Sequence, residues 1–243
     1  FDEFYLQNSS LDYKYENNSL SYFDIYGNYY GKEIFKLKCL KKEGNNLINE
    51  YFLSASDAGK FFQSLNYNTE INGGYFSSEG YFGNLDNDNN IMGTVSIDNF
   101  RIMKAPIFAE LLLAASLTGL LDVLNNDGIE FEQFDAQYFG KDDVYTVTKS
   151  RAYGLSLGIT GEGWVNKNNK SLNIKGSLIP AYKINSFFND IPIIGEIISG
   201  KEDEGLFAIN YMARGNWQKL EMEINPLSVL TPGLLRNVFD FLD

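Results

Sequence analysis

The feature that most constrains this fold is an alternation of apolar and polar residues with a period of two, repeated along most of the chain. It is clear in the stretches EIFKLKCLKK, DVYTVTKSRAYGLSLGITGEGWV, SLNIKGSLI and WQKLEMEIN. Successive side chains of a strand point to opposite faces of a sheet, so the pattern predicts strands with one apolar and one polar face. Asn, Gly and Asp separate the stretches, as is typical of turns. The sequence therefore predicts an antiparallel meander.

The length sets the domain organisation that we expect. A chain of 243 residues, 44% hydrophobic and 15% aromatic, can bury a substantial core as one large β domain or as two smaller ones. The period-two pattern does not change character along the chain, so we expect a single domain over residues 1–243. The chain begins with Phe and has no signal-like apolar segment at its start, which suggests a fragment of a longer protein.

Composition argues against several classes of function. The formal net charge of −12 and the pI near 4.5 count against binding to nucleic acid. The absence of histidine removes the usual general base and the commonest metal ligand. Cys39 lies in a strand-like stretch and is interpreted as a packed apolar residue rather than a nucleophile. We therefore expect no enzyme, no metal and no cofactor.

Two near-matches to ligand-binding motifs fail on their own chemistry. The segment GEIISGKE over residues 195–202 follows the phosphate-binding loop pattern until Glu202, which stands where a Ser or Thr should complete the magnesium shell. The run NLDNDNN has the first ligand spacing of a calcium loop. However, Ile91 and Ile97 occupy the positions that require Gly and Glu. The sequence predicts a surface loop at the first and a solvated turn at the second.

Four stretches interrupt the strand pattern with helical character. The first is SASDAGKFFQSL, where Ser54 followed by Asp57 resembles a helix start. The second is a long amphipathic segment over residues 106–125, ended by Gly128. The third is NSFFNDIPIIGEIIS. The fourth is the terminal stretch NPLSVLTPGLLRNVFDFLD, in which Pro232 is expected to open a last amphipathic turn.

The second of these segments is predicted to be one helix that lies on the sheet. Residues 111–121 carry no charge, but this run is shorter than the roughly 20 residues that span a bilayer. We expect Leu111, Leu112, Leu120 and Leu121 to face inward. The full apolar stripe of the segment is Phe108, Leu111, Leu112, Leu120, Leu121 and Leu124.

From about residue 56 onward, the order of the segments resembles the C-terminal region of AsmA-like proteins, a group that includes YhdP and is related to TamB. The resemblance is carried by DAGKFFQSLNYNTEINGGYFSSEGYF, by NFRIMKAPIFAELLLAASLTGLLDVLNNDGIEFEQFDAQY, by SRAYGLSLGITGEGWVNKNNKSLNIKGSLIPAYKINSFF, by IPIIGEIISGKEDEGLFAINYMARG and by NPLSVLTPGLLRNVF. It covers residues 56–243, whereas residues 1–55 share only a generic β-meander pattern.

The resemblance implies a fold and a function. AsmA-like proteins are similar to bridge-like lipid transfer proteins, which an N-terminal helix anchors in the inner membrane of double-membraned bacteria. Their curved antiparallel β-groove crosses the periplasm, and phospholipid is thought to move along it toward the outer membrane. By this resemblance we expect a taco-like β-groove with a few amphipathic helices, in the periplasmic part of an inner-membrane-anchored envelope protein. Its partners would be phospholipid acyl chains and an outer-membrane or periplasmic protein.

Alternating apolar residues in the later strands are the candidate lining of this groove. They are Leu155, Leu157, Ile159, Leu172, Ile174, Phe207, Ile209 and Tyr211. A terminal helix would offer Leu234, Leu235, Val238 and Phe239 where lipid leaves. The alternative is that these side chains form an ordinary core filled by the protein's own helices, in a structural module that supports outer-membrane biogenesis. Sequence pattern does not separate these two hypotheses, because it does not report exposure.

Overall fold

The structure is a computed structural model that describes residues 4–16, 19–41, 48–67, 70–84, 89–180, 207–216 and 219–229. These residues form twelve strands and three helices. In chain order the elements are β1 (Gln7–Glu16), β2 (Ser19–Tyr29), β3 (Glu33–Lys41), β4 (Ile48–Ala55), α1 (Ala58–Ser64), β5 (Ile71–Asn84), β6 (Asn89–Ile102), α2 (Pro106–Ala114), α3 (Thr118–Asn126), β7 (Ile129–Lys141), β8 (Val144–Tyr153), β9 (Leu157–Asn166), β10 (Ser171–Pro180), β11 (Phe207–Asn216) and β12 (Lys219–Val229).

All twelve strands belong to one open antiparallel sheet whose spatial order is the order of the sequence. Each strand therefore pairs with its sequence neighbours, as a meander requires, and the predicted mainly β fold is confirmed. The registers place apolar side chains on one face across the sheet. For example, Phe35 pairs with Ala55, which pairs with Phe76, which pairs with Ile97. We call this the apolar face and the opposite one the polar face.

The two ends of the strands differ in their connections. The connections that follow β2, β4, β6 and β8 all lie at one end, because these strands finish beside the starts of their successors. All three helices lie in these connections, so we call this the helix end. The described turns at the opposite end are short and polar, with Asp142 and Asp143 after β7 and residues 167–170 after β9.

Helix α1 begins one turn later than the sequence suggested. Its N-cap is Asp57, whose Oδ1 accepts a hydrogen bond from the backbone N–H of Lys60 at 3.0 Å. Ser54 instead belongs to β4. A carboxylate is as good an N-cap acceptor as a hydroxyl, and Ser54 remains paired in the strand ladder opposite Lys36. Ser54 is therefore a strand residue, and Asp57 caps the helix.

The long amphipathic segment is two helices, not one. Ser116 adopts a left-handed conformation with φ of 59°. The backbone N–H of Ser116 then donates to the Leu113 carbonyl, and that of Leu117 donates to the Leu112 carbonyl at 2.8 Å. These bonds close a Schellman turn and satisfy carbonyls at the end of α2. The prediction of one continuous helix over residues 106–125 was therefore wrong, whereas Gly128, with φ of 81°, does follow α3.

The sheet curves toward its apolar face. Helix α2 follows β6 closely in the chain, yet it contacts β12, six strands away in the sheet order. In a flat sheet these two strands would be roughly 29 Å apart, at about 4.8 Å per strand. Helices α2 and α3 pack in the same core as the apolar face of β6, β7 and β11. The sheet must therefore bend around the helices, which gives a curved β-groove.

Candidate functional site

The candidate site is the concave apolar face, which we call the apolar trough. Paired residues of successive strands form rows that cross it. One row close to the helix end contains Phe35, Ala55, Phe76, Ile97, Phe134, Ala152, Ile159, Leu178 and Ile209. The next row contains Leu11, Ile25, Leu37, Leu53, Ser78, Val95, Ala136, Ser150, Gly161, Gly176, Tyr211 and Ile224.

The trough is filled at the helix end and less covered away from it. Ala55 and Leu178 in the first row have no solvent exposure, and Leu112 and Leu124 of the helices are equally buried. Farther along the strands, apolar side chains pack against this core but are only partly buried. These are Leu37, Leu53, Val95, Ile174, Met222 and Ile224. Away from the helix end the lining is therefore mixed, because Cys39, Tyr51 and Ala213 are buried while these six side chains are only partly buried.

Most of the predicted groove residues lie together on this face. Ile159 pairs with Leu178, which pairs with Ile209, while Leu157 pairs with Pro180. The same face carries Leu172, Ile174 and Tyr211 at alternating positions of their strands. Phe207 begins β11. Leu157 is fully buried, whereas Leu172 and Ile174 are half-buried.

Leu155 is the exception. It lies in the turn between β8 and β9, and 71% of its surface is exposed. The alternation SRAYGLSLGIT continues through the turn in the sequence, but the Gly154 amide bonds to the Leu157 carbonyl and reverses the chain there. Leu155 therefore does not line the trough.

The predicted helix residues contact the core at the helix end. Leu111, Leu112, Leu120 and Leu124 are buried, and Phe108 and Leu121 are partly buried against the same cluster. The Phe108 ring lies 6.4 Å from that of Phe131 on β7. The terminal-helix residues Leu234, Leu235, Val238 and Phe239, the third helical segment and the loop over residues 195–202 lie outside the described residues.

A tyrosine pair lies over glycines in the trough floor. Tyr51 on β4 and Tyr138 on β7 share one row with Gly80 and Gly93, which occupy the two strands between them. The two hydroxyls hydrogen-bond to each other, and Tyr51 also contacts Ser78 Oγ at 3.0 Å. A β-carbon on Gly93 would come within 2.7 Å of the Tyr51 hydroxyl. Gly93 therefore leaves room for the Tyr51 hydroxyl to lie close to the strand backbone.

The same arrangement recurs on the apolar face among the later strands. Tyr211 on β11 lies in the row of Gly176 and Gly161, and its hydroxyl donates to the Thr160 carbonyl at 2.8 Å. Burial raises the pKa of Tyr211 to about 12 and raises that of Tyr51 well above its ordinary value. Sequence reasoning missed both arrangements. Isolated glycines inside strand patterns were the available signal, because they mark places where another group approaches the backbone closely.

The polar face carries a wide, open furrow with a volume of about 1430 Å³. It runs from β2 to β12 between two rows of polar side chains. Its charged groups include an ion pair between Lys175 Nζ and Glu162 Oε1 at 2.8 Å, and another between Arg151 and Asp135 at 3.4 Å. Acyl chains in this furrow would strip water from these charges without replacing it, which is costly. The furrow is therefore unsuited to acyl chains.

Two further properties of the described residues bear on the site. Within the described ranges, no group of three or more His, Cys, Asp or Glu side chains is arranged to hold a metal ion. Of the helices that the structure describes, none has both the length and the hydropathy required to cross a bilayer.

Comparison of the chain with protein-family models, with curated proteins and with solved structures finds no match.

Proposed function

We propose that this chain is a non-enzymatic lipid-handling domain that shields phospholipid acyl chains in its apolar trough. The proposal rests on one observation: the apolar face of the sheet extends beyond the region that the helices cover. Apolar side chains follow the concave face from β2 to β12, and away from the helix end several of them, such as Leu37, Val95 and Ile174, are only partly buried. A trough of this kind offers an acyl chain a mostly apolar lining, which Ser78 and Ser150 interrupt in one row.

The energetics of lipid transfer favour such a surface. Exposing the two acyl chains of a phospholipid to water would cost on the order of 20 kcal/mol, at about 0.8 kcal/mol for each methylene. A lipid that crosses an aqueous gap therefore needs apolar contact along its whole path. Tyr51 and Tyr211 support this role, because their hydroxyls lie close over glycines and are hydrogen-bonded, so these rings contribute apolar surface to the floor without an unpaired polar group.

We further propose that the chain belongs to the periplasmic portion of an inner-membrane-anchored protein of the bacterial envelope, as its sequence resemblance to AsmA-like proteins suggests. In that setting the lipid would move between the inner and outer membranes, and an outer-membrane or periplasmic protein would be a second partner. The polar face, with its mixed charges, suits contact with water throughout such a path.

A second candidate function follows from the filled part of the trough. Leu112, Leu120 and Leu124 have between 0 and 2% of their surface exposed, so the helix end is an ordinary packed core. If this packing continues along the whole trough, the domain is a structural module that supports outer-membrane biogenesis and carries no lipid. The lipid-handling function predicts that acyl chains contact the half-exposed residues. The structural function predicts that other protein segments contact them.

Photo-crosslinking from neighbouring positions separates the two functions. A photoreactive residue at position 174 would lie on the apolar face, whereas one at position 175 would lie on the polar face, where 62% of the Lys175 side chain is exposed. In cells that express the full-length protein, we expect phospholipid adducts from position 174 and none from position 175. Mass spectrometry of the gel-purified adduct identifies the lipid.

Equal lipid labelling from both positions would show only adventitious contact with membranes. Clean protein crosslinks from position 174, with no lipid, would favour the structural module.

A further inference from the structure

One edge of the sheet is open among the residues that the structure describes. Strand β1 pairs with β2 on one side and with no described strand on the other. All ten of its residues are exposed, yet it keeps the alternation of the strands inside the sheet. Its apolar-face residues Leu11, Tyr13 and Tyr15 are 58, 67 and 63% exposed. A regular edge strand with exposed apolar side chains is a template for pairing with another strand.

The two edge strands of the described sheet differ in how well they can pair. Strand β12 contains Pro226, which has no backbone N–H to donate, and helix α2 contacts this strand. Strand β1 contains no proline. Its register with β2 slips before Ser10, where β1 has one extra residue, whereas the later slip comes from an extra residue in β2. Residues 10–16 of β1 are therefore a regular stretch that is suited to pairing.

This regular stretch is complementary to itself in antiparallel orientation. A two-fold axis at Tyr13 would place Tyr13 opposite its own copy and Leu11 opposite Tyr15, all on the apolar face. On the polar face, Asp12 of each copy would lie opposite Lys14 of the other. Opposite charges that face each other across two strands stabilise the pairing, and this register contains two such pairs.

Other registers lack this match. An axis at Asp12 would place two aspartates opposite each other. An axis at Lys14 would oppose two lysines and would also place Asp12 opposite Glu16. Axes at Leu11 or Tyr15 would pair fewer of the regular residues. A shift by one residue would place polar side chains opposite apolar ones and reverse the faces of one copy.

The contacts that the charged side chains already make are compatible with this pairing. Lys14 Nζ lies 2.5 Å from Glu16 Oε1 of the same strand, and these side chains are 66 and 46% exposed. Asp12 lies opposite Asp24 of β2, and like charges at this position repel each other. Lys14 of a second copy would lie on the other side of Asp12 and would offset that repulsion.

We propose that β1 is a dimerisation edge, at which residues 10–16 pair with the same residues of a second copy about a two-fold axis at Tyr13. The contact uses the same surface of both copies, as a closed two-fold dimer requires. The apolar faces of the two copies would lie on the same side of one continuous sheet. The proposal goes beyond the proposed function, because it concerns the edge of the sheet and does not depend on lipid.

Sedimentation equilibrium of the purified chain tests the proposal, with the paired charges exchanged. Asp12→Lys and Lys14→Asp each replace two opposite-charge pairs by two like-charge pairs. We therefore expect each to raise the dissociation constant of the dimer about tenfold. The double substitution restores opposite charges and should dimerise as the parent does. A monomeric parent would overturn the proposal, and so would a double variant that dimerises no better than the single ones.

A disulfide at the axis tests the register. In a Cys39→Ala background, Tyr13→Cys should form a disulfide-linked dimer under mild oxidation, because the two side chains face each other. Glu221→Cys is the control on the opposite edge strand, where 70% of the Glu221 side chain is exposed. It should remain monomeric. Equal cross-linking of the two variants would indicate random collision and contradict the register.

Photo-crosslinking from position 13 in cells identifies what occupies this edge. An adduct between two copies of the chain would support the dimer. An adduct within one chain would assign the edge to another segment of that chain, and an adduct with a different protein would assign it to that protein. Either of these two results would overturn the second copy as the occupant.

Discussion

A β-carbon at position 176 would overlap the carbonyl oxygen of Thr160 and would also approach the Tyr211 hydroxyl to 2.9 Å. Alanine at this position therefore has no space unless two strands move apart. We expect Gly176→Ala to lower the free energy of unfolding by about 1–3 kcal/mol, as overpacking of a well-packed site does. Denaturant unfolding of the purified variant measures the change.

Gly158 provides the matched control for this prediction. It lies in the neighbouring strand β9, and a β-carbon there would be 3.5 Å from the nearest atom, which is an ordinary contact. Gly158→Ala should therefore change the free energy of unfolding little. If both substitutions were equally tolerated, Tyr211 would not lie over a floor that depends on glycine.

The single cysteine should be nearly inert in the folded protein. Burial of Cys39 on the apolar face raises the pKa of its thiol to about 11. At pH 8 the reactive thiolate should therefore be about a hundredfold rarer than in the unfolded chain. We expect slow reaction with a disulfide reagent at pH 8, a steep rise toward pH 11, and fast reaction in denaturant. Fast labelling of the native protein at pH 8 would show that β3 opens locally.

The raised pKa of Cys39 also has a consequence for stability. A folded pKa above the unfolded one means that the folded state holds the proton more tightly. The stabilising contribution is therefore complete below the ordinary thiol pKa and is lost as the pH rises toward 11.

Among the elements, α2 offers two neighbouring leucines with opposite environments. Leu112 is fully buried, whereas 59% of the surface of Leu113 is exposed. Leu112→Asp should lower the free energy of unfolding by several kcal/mol, on the order of the cost of an unpaired buried charge. Leu113→Asp should stay within about 0.5 kcal/mol of the parent, as is usual for surface substitutions.

Thermal and chemical melting of the two variants decide the role of α2. Equal stability would mean that α2 rests on the periphery and does not fill the trough. The predicted difference would instead establish that α2 is part of the core that the sheet curves around.

The elements that sequence reasoning predicted well are those with strong periodicity. The strands, the turns rich in Asn and Asp, and the apolar face that joins Ile159 to Ile209 follow directly from alternation. The break after α2 was not predictable from hydropathy, because the apolar stripe continues across it. It depends on Ser116 adopting a left-handed conformation, which is usually left to glycine.

The candidate site was less accessible to sequence reasoning than the fold. Alternation assigns residues to a face but does not report what covers them, so filled and half-exposed parts of the trough have the same pattern. Leu155 shows the converse error, since its spacing fits the strand although it lies in a turn. A tyrosine lies over glycines only when at least three strands pair in the right register. That register depends on the whole sheet and cannot be read from any one strand.

In the whole molecule, the uneven filling of the trough predicts two different responses to the same chemical change. Ile209 lies in the filled part and is 9% exposed, whereas Ile174 is half-buried farther from the helix end. Ile209→Asp should unfold the domain, because the new carboxylate would be buried among apolar groups. Ile174→Asp should remain folded, since water reaches that position, but it should interrupt the apolar lining and lower the content of bound phospholipid.

Melting curves and lipid mass spectrometry on both variants report the two effects separately. If Ile174→Asp also unfolded the domain, the trough would be closed along its length. If it remained folded and kept its lipid, acyl chains would not pass this position.

The unbroken match between sequence order and spatial order has a consequence for how the molecule forms. Each strand finds its partner in the segment made just before it, so loop closure between neighbouring strands costs little entropy. The sheet can therefore grow one hairpin at a time as the chain emerges, without waiting for a distant segment. Insertion or loss of a hairpin would lengthen or shorten the sheet by about 10 Å while preserving both faces and both ends. The extent of such a meander across its strands can therefore change by two strands at a time.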